Sequence, residues 1–177
     1  MTSAAAIATP HGTFVARFSD TGLCRLDFPG KARAPKAAPP ADLAKRWLAA
    51  TAAALESLLL GQAPLKLPPL DLLAGTEFQQ LVWRQLLRIP LGQTRSYGEI
   101  AGRLAKPGAS RAGGAACGAN PIPVIVPCHR VLAAHRRIGG FSGGPGWKQR
   151  LLRIEQSECV DELGTTELDT FYRTVTP

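Results

Sequence analysis

Long apolar runs are missing from this chain: no stretch approaches the ~20 uninterrupted apolar residues that a membrane-spanning helix needs. Residues 1–14 have neither a basic start nor an apolar core, so no secretory signal is read in them. Cysteine is scarce and scattered. The four cysteines, Cys24, Cys117, Cys128 and Cys159, lie far apart without a C-x-x-C pair. That spacing argues against a zinc ribbon or a disulfide framework and points to a reduced, cytoplasmic setting. Residues 1–70 carry no recognisable chemistry, and His11 and Cys24 are too isolated to make a metal site; both are assigned to structure. The glycine-rich loop 139–144 lacks the G-x-G-x-x-G and Walker spacings, so nucleotide binding is a weak reading of it.

Acidic residues are also few in one long block. Residues 76–155 hold twelve lysines and arginines against three acids, Glu77, Glu99 and Glu155, a net of +9 within a chain of net charge +8. A charge needed for solubility alone would be spread more evenly, whereas a phosphate-binding surface concentrates it.

The patterning predicts an α+β chain. Residues 5–28 read as strands and turns that form an antiparallel hairpin, with breaks at His11-Gly12 and at Ser19-Asp20-Thr21-Gly22. Residues 29–40, rich in proline and alanine, read as a mobile connection. Leu43, Trp47, Ala50, Ala54 and Leu58 have helical spacing, which predicts a helix over 41–60 ended by Gly61. Three prolines in 61–69 mark a linker between two lobes. The lobes are then 1–69 and 70–156, followed by a loose acidic tail over 157–177.

The second lobe reads as a series of helices. Thr76 and Gln79 fit a capping box ahead of an apolar face formed by Phe78, Leu81, Val82, Leu86 and Ile89. Ser96 and Glu99 fit a second, opening a short helix to about Ala105. After the turn Lys106-Pro107-Gly108 comes a segment, 109–119, made almost wholly of Ala, Gly and Ser apart from Arg111 and Cys117. Helix, tight turn and second helix form the outline of a helix-turn-helix. Gly113 and Gly114 each cost about 1 kcal/mol inside a helix, so either close helix packing or close approach to DNA has to compensate. A helix this bare suits backbone and shape contacts, with Arg111 as its one long side chain. His135 to Arg137 form a basic turn, and a last helix near 145–156 turns Trp147, Leu151 and Ile154 inward.

The chemistry concentrates in residues 120–131. Val124, Ile125 and Val126 read as a buried extended segment bracketed by Pro123 and Pro127, which stiffen the backbone before Cys128. A lone cysteine is more often a core thiol than a nucleophile. Cys128, however, is followed by His129 and Arg130, and nearby positive charge favours the reactive thiolate.

Pro127-Cys128-His129-Arg130-Val131, preceded by Asn120-Pro121 and followed by Gly140-Phe141-Ser142-Gly143-Gly144, resembles the O6-alkylguanine-DNA alkyltransferases over roughly residues 76–156. The resemblance implies a ribonuclease H-like first lobe, with a small three-stranded sheet and a helix, and a winged-helix-like second lobe. It implies suicide repair of O6-alkylguanine and O4-alkylthymine in duplex DNA. The protein would act from the minor groove as a monomer, with cooperativity on DNA left open. No cofactor is expected, and no metal either, because a zinc site like that of some relatives is not matched in this sequence. Its site residues carry over by position. Cys128 would accept the alkyl group, with His129, Glu155, Tyr97 and Asn120 completing the catalytic set. Val131, Ser142, Lys148, Pro123 and Phe141 would hold the base, and Arg111, Ser110, Ala112, Gly114 and Ala115, with Tyr97, would meet DNA. Two rival readings use other chemistry. A lesion-sensing relative would lack the cysteine that is present here, and a Cys-His-Glu hydrolase would have no use for the basic block.

Overall fold

Strand β2 (Gly12–Phe18) buries Phe14, Val15, Ala16 and Phe18, so both of its faces are covered, as befits the middle strand of a small sheet. It pairs antiparallel with β1 (Ser3–Thr9) on one side and β3 (Leu23–Asp27) on the other, in the order β1-β2-β3. The computed structural model describes residues 3–33, 42–144 and 146–157. Most of the connection expected over 29–40, and all but the first residue of the expected tail 157–177 with its Cys159, lie outside the described residues. The architecture is mixed, with a small antiparallel sheet and several helices.

Two compact units are distinguished by their contacts. One contains the described residues up to Thr76 together with Pro121–Ile125; the other contains Glu77–Asn120 and the described residues from Val126 on. In the first unit, the turn after β2 closes with Ser19 N–H donating to Gly22 O at 2.9 Å, where the sequence placed it. Helix α1 (Asp42–Leu59) runs as the spacing predicts, but its buried face is Thr51, Ala54, Leu55, Leu58 and Leu59; Trp47 is only half-buried. The proline stretch after α1 returns to the sheet: Leu23 N–H donates to Pro69 O, and Asp71 N–H donates to Leu23 O, both at 2.8 Å. Leu26 N–H donates to Pro121 O at 2.9 Å, which ties the 121–125 segment to this unit.

That segment corrects an expectation. Val124, Ile125 and Val126 are buried, but the chain turns there instead of running extended, and Val124 has φ +74°. A β-branched residue in the left-handed region is strained, so tertiary packing holds this turn against local preference.

The second unit opens with α2 (Glu77–Leu86), whose buried residues are Val82, Trp83 and Leu86, with Ile89 just beyond its end. Leu81, expected inside, is 39% exposed, and Phe78 is half-buried. Trp83 takes the inward place, and its indole N–H donates to Ala116 O at 2.8 Å. That bond fastens α2 to α4 (Ser110–Gly118). Helix α3 (Tyr97–Arg103) begins with the predicted capping box: Ser96 Oγ accepts from Glu99 N–H, and Glu99 Oε2 accepts from Ser96 N–H. Two short strands, β4 (Arg95–Ser96) and β5 (Val131–Leu132), pair in parallel. Helix α5 (Trp147–Ile154) buries Lys148, Leu151 and Leu152; Trp147 and Ile154 are half-buried, not inward as the spacing suggested. Among the described residues no helix is long and apolar enough to cross a membrane.

Candidate active site

The β4–β5 ladder is what brings the expected residues together. Tyr97 follows β4 directly, and Cys128–Arg130, a single 3-10 turn, precedes β5 directly, so pairing the two strands sets the phenol beside the thiol's turn. Pro127 leads into that turn, which Arg130 N–H closes by donating to Pro127 O at 3.0 Å. In a 3-10 turn successive side chains point apart, so Cys128 and His129 diverge even though the chain is not extended here.

Cys128 is 3% exposed and borders a cavity of about 890 Å³. Tyr97, Ser110, Arg111, Gly114, Phe141 and Ser142 line the same cavity, as do Cys117 and His135, which the sequence did not assign to it. Ala112 and Ala115 are exposed on α4 outside the lining, and Pro123 belongs to the first unit.

Behind the thiol is a polar network with almost no solvent access. Asn120 Nδ2 donates to Cys128 Sγ at 3.1 Å and to Val126 O at 2.7 Å. His129, fully buried, meets Glu155 Oε1 through Nε2 at 2.9 Å. Its other ring nitrogen, Nδ1, is buried with no hydrogen-bond partner among the described residues. Arg130 grips Glu155 with two donors, Nε to Oε2 at 2.9 Å and Nη2 to Oε1 at 2.8 Å, while Nη1 donates to Ile89 O at 2.6 Å. Lys148, 2% exposed, donates from Nζ to Val131 O at 2.7 Å.

This arrangement changes two sequence readings. The charge of Arg130 is directed at Glu155 and Ile89, so it does not serve the thiol as its neighbouring position suggested. The cation whose field favours the Cys128 thiolate is Lys148. Arg130 was missed as a site residue because its partners lie 25 and 41 positions away, and no local pattern signals such a pair.

The protonation states follow from burial and partners. Burial pushes the Cys128 thiol up, against the lowering influence of the Asn120 hydrogen bond and of Lys148, so the resting group is a thiol. Burial also lowers the His129 pKa; Glu155 opposes this, Arg130 and Lys148 reinforce it, and the imidazole stays neutral. Burial disfavours the charged form of Glu155 too, but hydrogen bonds from His129 and Arg130 outweigh it and bring the carboxyl down to about 2. Tyr97 is pushed up to about 12, first by burial and then by the nearby thiols, and remains a hydrogen-bond donor. Cys117, also raised to about 12 mainly by burial, is a neutral wall of the cavity. The site thus holds a protonated thiol and, on the next residue, a neutral imidazole whose Nε2 is anchored to a carboxylate. That is the composition needed to activate a thiol only when a substrate arrives.

Comparison with known proteins gives consistent results. Residues 77–157 match the family described as 6-O-methylguanine DNA methyltransferase, DNA binding domain. A methylated-DNA–protein-cysteine methyltransferase of Mycobacterium bovis is 54% identical over 91 residues, covering 51% of this chain and 55% of the relative. The chain thus spans about half the length of the mycobacterial relatives it matches. A protein of the same name from Methanosarcina barkeri is 39% identical over 157 residues, covering 85% of this chain and 95% of its own. The solved structure of Mycobacterium tuberculosis OGT in complex with DNA aligns with TM-score 0.68 at 38% identity, over 86% of this chain and 92% of that one.

Proposed function

The chain belongs to the 6-O-methylguanine DNA methyltransferase family, and from that premise and the site's geometry we propose that it repairs O6-alkylguanine in duplex DNA by moving the alkyl group onto Cys128. The observation that carries the proposal is Cys128 at the edge of the cavity with Asn120 on its sulfur and the His129–Glu155 pair beside it.

The damaged base leaves the stack and enters the cavity, and Arg111 at the start of α4 takes its place. Cys128 passes its proton towards His129 Nδ1, through a water, because the two side chains diverge. The sulfur attacks the alkyl carbon, the carbon–O6 bond breaks, and its electron pair goes to the guanine oxygen. The thiol's proton ends on the guanine ring, and a neutral thioether remains. Glu155 stabilises the imidazolium while it exists. Tyr97 donates to a guanine ring nitrogen, Ser142 covers the oxygen, and Phe141 borders the base. Lys148, bonded to Val131 O, fixes the main chain that would meet the guanine amine and adds positive charge near the developing thiolate. A thioether has no easy reverse path, so each molecule reacts once.

The same reading makes the first unit ribonuclease H-like and the second a winged-helix-like, DNA-binding and alkyl-transfer domain approaching the minor groove. It adds O4-alkylthymine as a second lesion, and a monomeric, cytoplasmic protein. Incubation with a duplex containing O6-methylguanine, followed by intact-mass and peptide analysis, should find one methyl on Cys128 and none on Cys128→Ser. Repeated turnover, or methylation of the serine variant, would overturn it.

A further inference from the structure

A basic turn adjoins the cavity on a segment other than the one that carries Arg111. Ala133, Ala134 and His135 line it with Cys128, and the chain continues into Arg136 and Arg137. His135, Arg136 and Arg137 are all exposed. The turn is backbone-strained: His135 and Arg136 both have φ +58°, a conformation that side-chain-bearing residues rarely adopt. It is clasped at its base, with Ala133 N–H donating to Arg137 O at 2.8 Å and Arg137 N–H to Ala134 O at 3.4 Å. Consecutive residues in this conformation persist only where their surroundings impose it, and such segments gather at ligand clamps.

A base turned out of a duplex remains tied through its sugar to two phosphates. When the base occupies the cavity, those phosphates must lie close to its lining, which includes Ser110 and Arg111 of α4 and Ala134 and His135 at the start of this turn. Arg111 cannot both fill the stack and neutralise both phosphates. We infer that the turn His135–Arg137 is the phosphate clamp for the flipped nucleotide, with Arg136 and Arg137 as its charges. The inference rests on the base-flipping reading above and assigns it a second contact surface, apart from α4. Phosphate contacts position a strand without reading sequence, so the clamp acts equally on any sequence around the lesion.

The test is the double variant Arg136→Gly/Arg137→Ala. Glycine suits the φ at 136, and alanine leaves the backbone bonds at 137 in place, so the turn is kept while both charges go. Duplex affinity is measured against salt for the parent, this variant, and Arg136→Lys/Arg137→Lys. Each phosphate contact contributes a slope of about 0.9 in log K against log salt, so the variant should lose roughly 1.8 of slope. The lysine pair should restore most of it, and transfer from free O6-benzylguanine, which has no phosphates, should be unchanged. A slope equal to the parent's would overturn the clamp. A loss of free-base transfer matching the duplex loss would also overturn it, because the turn would then be supporting the pocket. If the parent protein alkylates Cys128 from neither substrate, the function itself fails, and that result is distinct from either outcome for the turn.

Discussion

Arg130 sits one residue beyond His129, and both bond to the Glu155 carboxylate from the same 3-10 turn. Removing one partner of a buried ion pair strands the other, at a cost of about 3–5 kcal/mol. Arg130→Met should therefore lower unfolding free energy by roughly 3 kcal/mol in urea titration, and an unchanged midpoint would mean that the pair contributes nothing. Glu155→Gln should slow transfer while leaving duplex affinity nearly unaltered; a variant reacting at the parent rate would remove the relay. The same groups set the response to acid. Glu155 is held at about 2 against an ordinary 4.5, so its contribution is present above 4.5 and is lost as pH falls towards 2. His129, buried and neutral, acts in the same direction, because the unfolded imidazole takes up a proton below its ordinary 6.5. Stability should decline below about pH 6.5 and more steeply below 4.5, and Glu155→Gln should flatten the lower limb in thermal melts across pH. Arg111 has a separate proposed role. If it occupies the stack, Arg111→Ala should cut transfer at saturating duplex by at least roughly tenfold, about 1.4 kcal/mol, with little effect on free O6-benzylguanine. Equal losses on both substrates would instead place it in support of the pocket.

The elements around the site are held by a few specific bonds. Helix α3 depends on the Ser96–Glu99 capping box, and α4 on the indole of Trp83. The bareness of α4 is only partly explained inside the protein. A Cβ at Gly113 would meet no atom outside its own helix within 4 Å, and one at Gly114 would meet the Tyr97 ring at 3.7 Å, an ordinary contact. Gly114→Ala should accordingly raise stability by about 0.5–1 kcal/mol through helix propensity. Because Gly114 lines the cavity, the same change should slow transfer from duplex DNA. A stability gain with undiminished duplex transfer would show that the glycine has no part in lesion binding. A stability loss would show that packing requires it.

For the molecule as a whole, the basic block is less uniform than composition implied. Of the twelve cations in residues 76–155, Arg130 and Lys148 are buried in the site network, so they cannot meet phosphate. The others are exposed or half-buried. Duplex affinity should still fall steeply with added salt, by at least about tenfold between roughly 50 and 200 mM, if several phosphates are contacted. Transfer from the free base should not change over that range. A salt-insensitive duplex affinity would dissociate the charge from DNA altogether.

Local sequence determined the parts of this protein whose physics is local. The turn at 19–22, the span of α1, the capping box at Ser96 and the short bare helix after Pro107 each depend on residues a few positions apart. The Cys128-His129 motif and its glutamate were also legible, but through resemblance to a family, since neither composition nor periodicity pairs residues 26 positions apart. Tertiary structure alone decided which side chains of α2 and α5 face inward, because Trp83 and Lys148 gain partners on other elements: Ala116 O and Val131 O. It also decided that Val124 turns instead of extending, since packing imposes there a backbone conformation that β-branched residues disfavour. Finally, it gave Arg130 to Glu155 and left Lys148 to favour the thiolate. Adjacency in sequence placed Arg130 beside the thiol, but in the low-dielectric interior a charge goes to the partner whose geometry satisfies it.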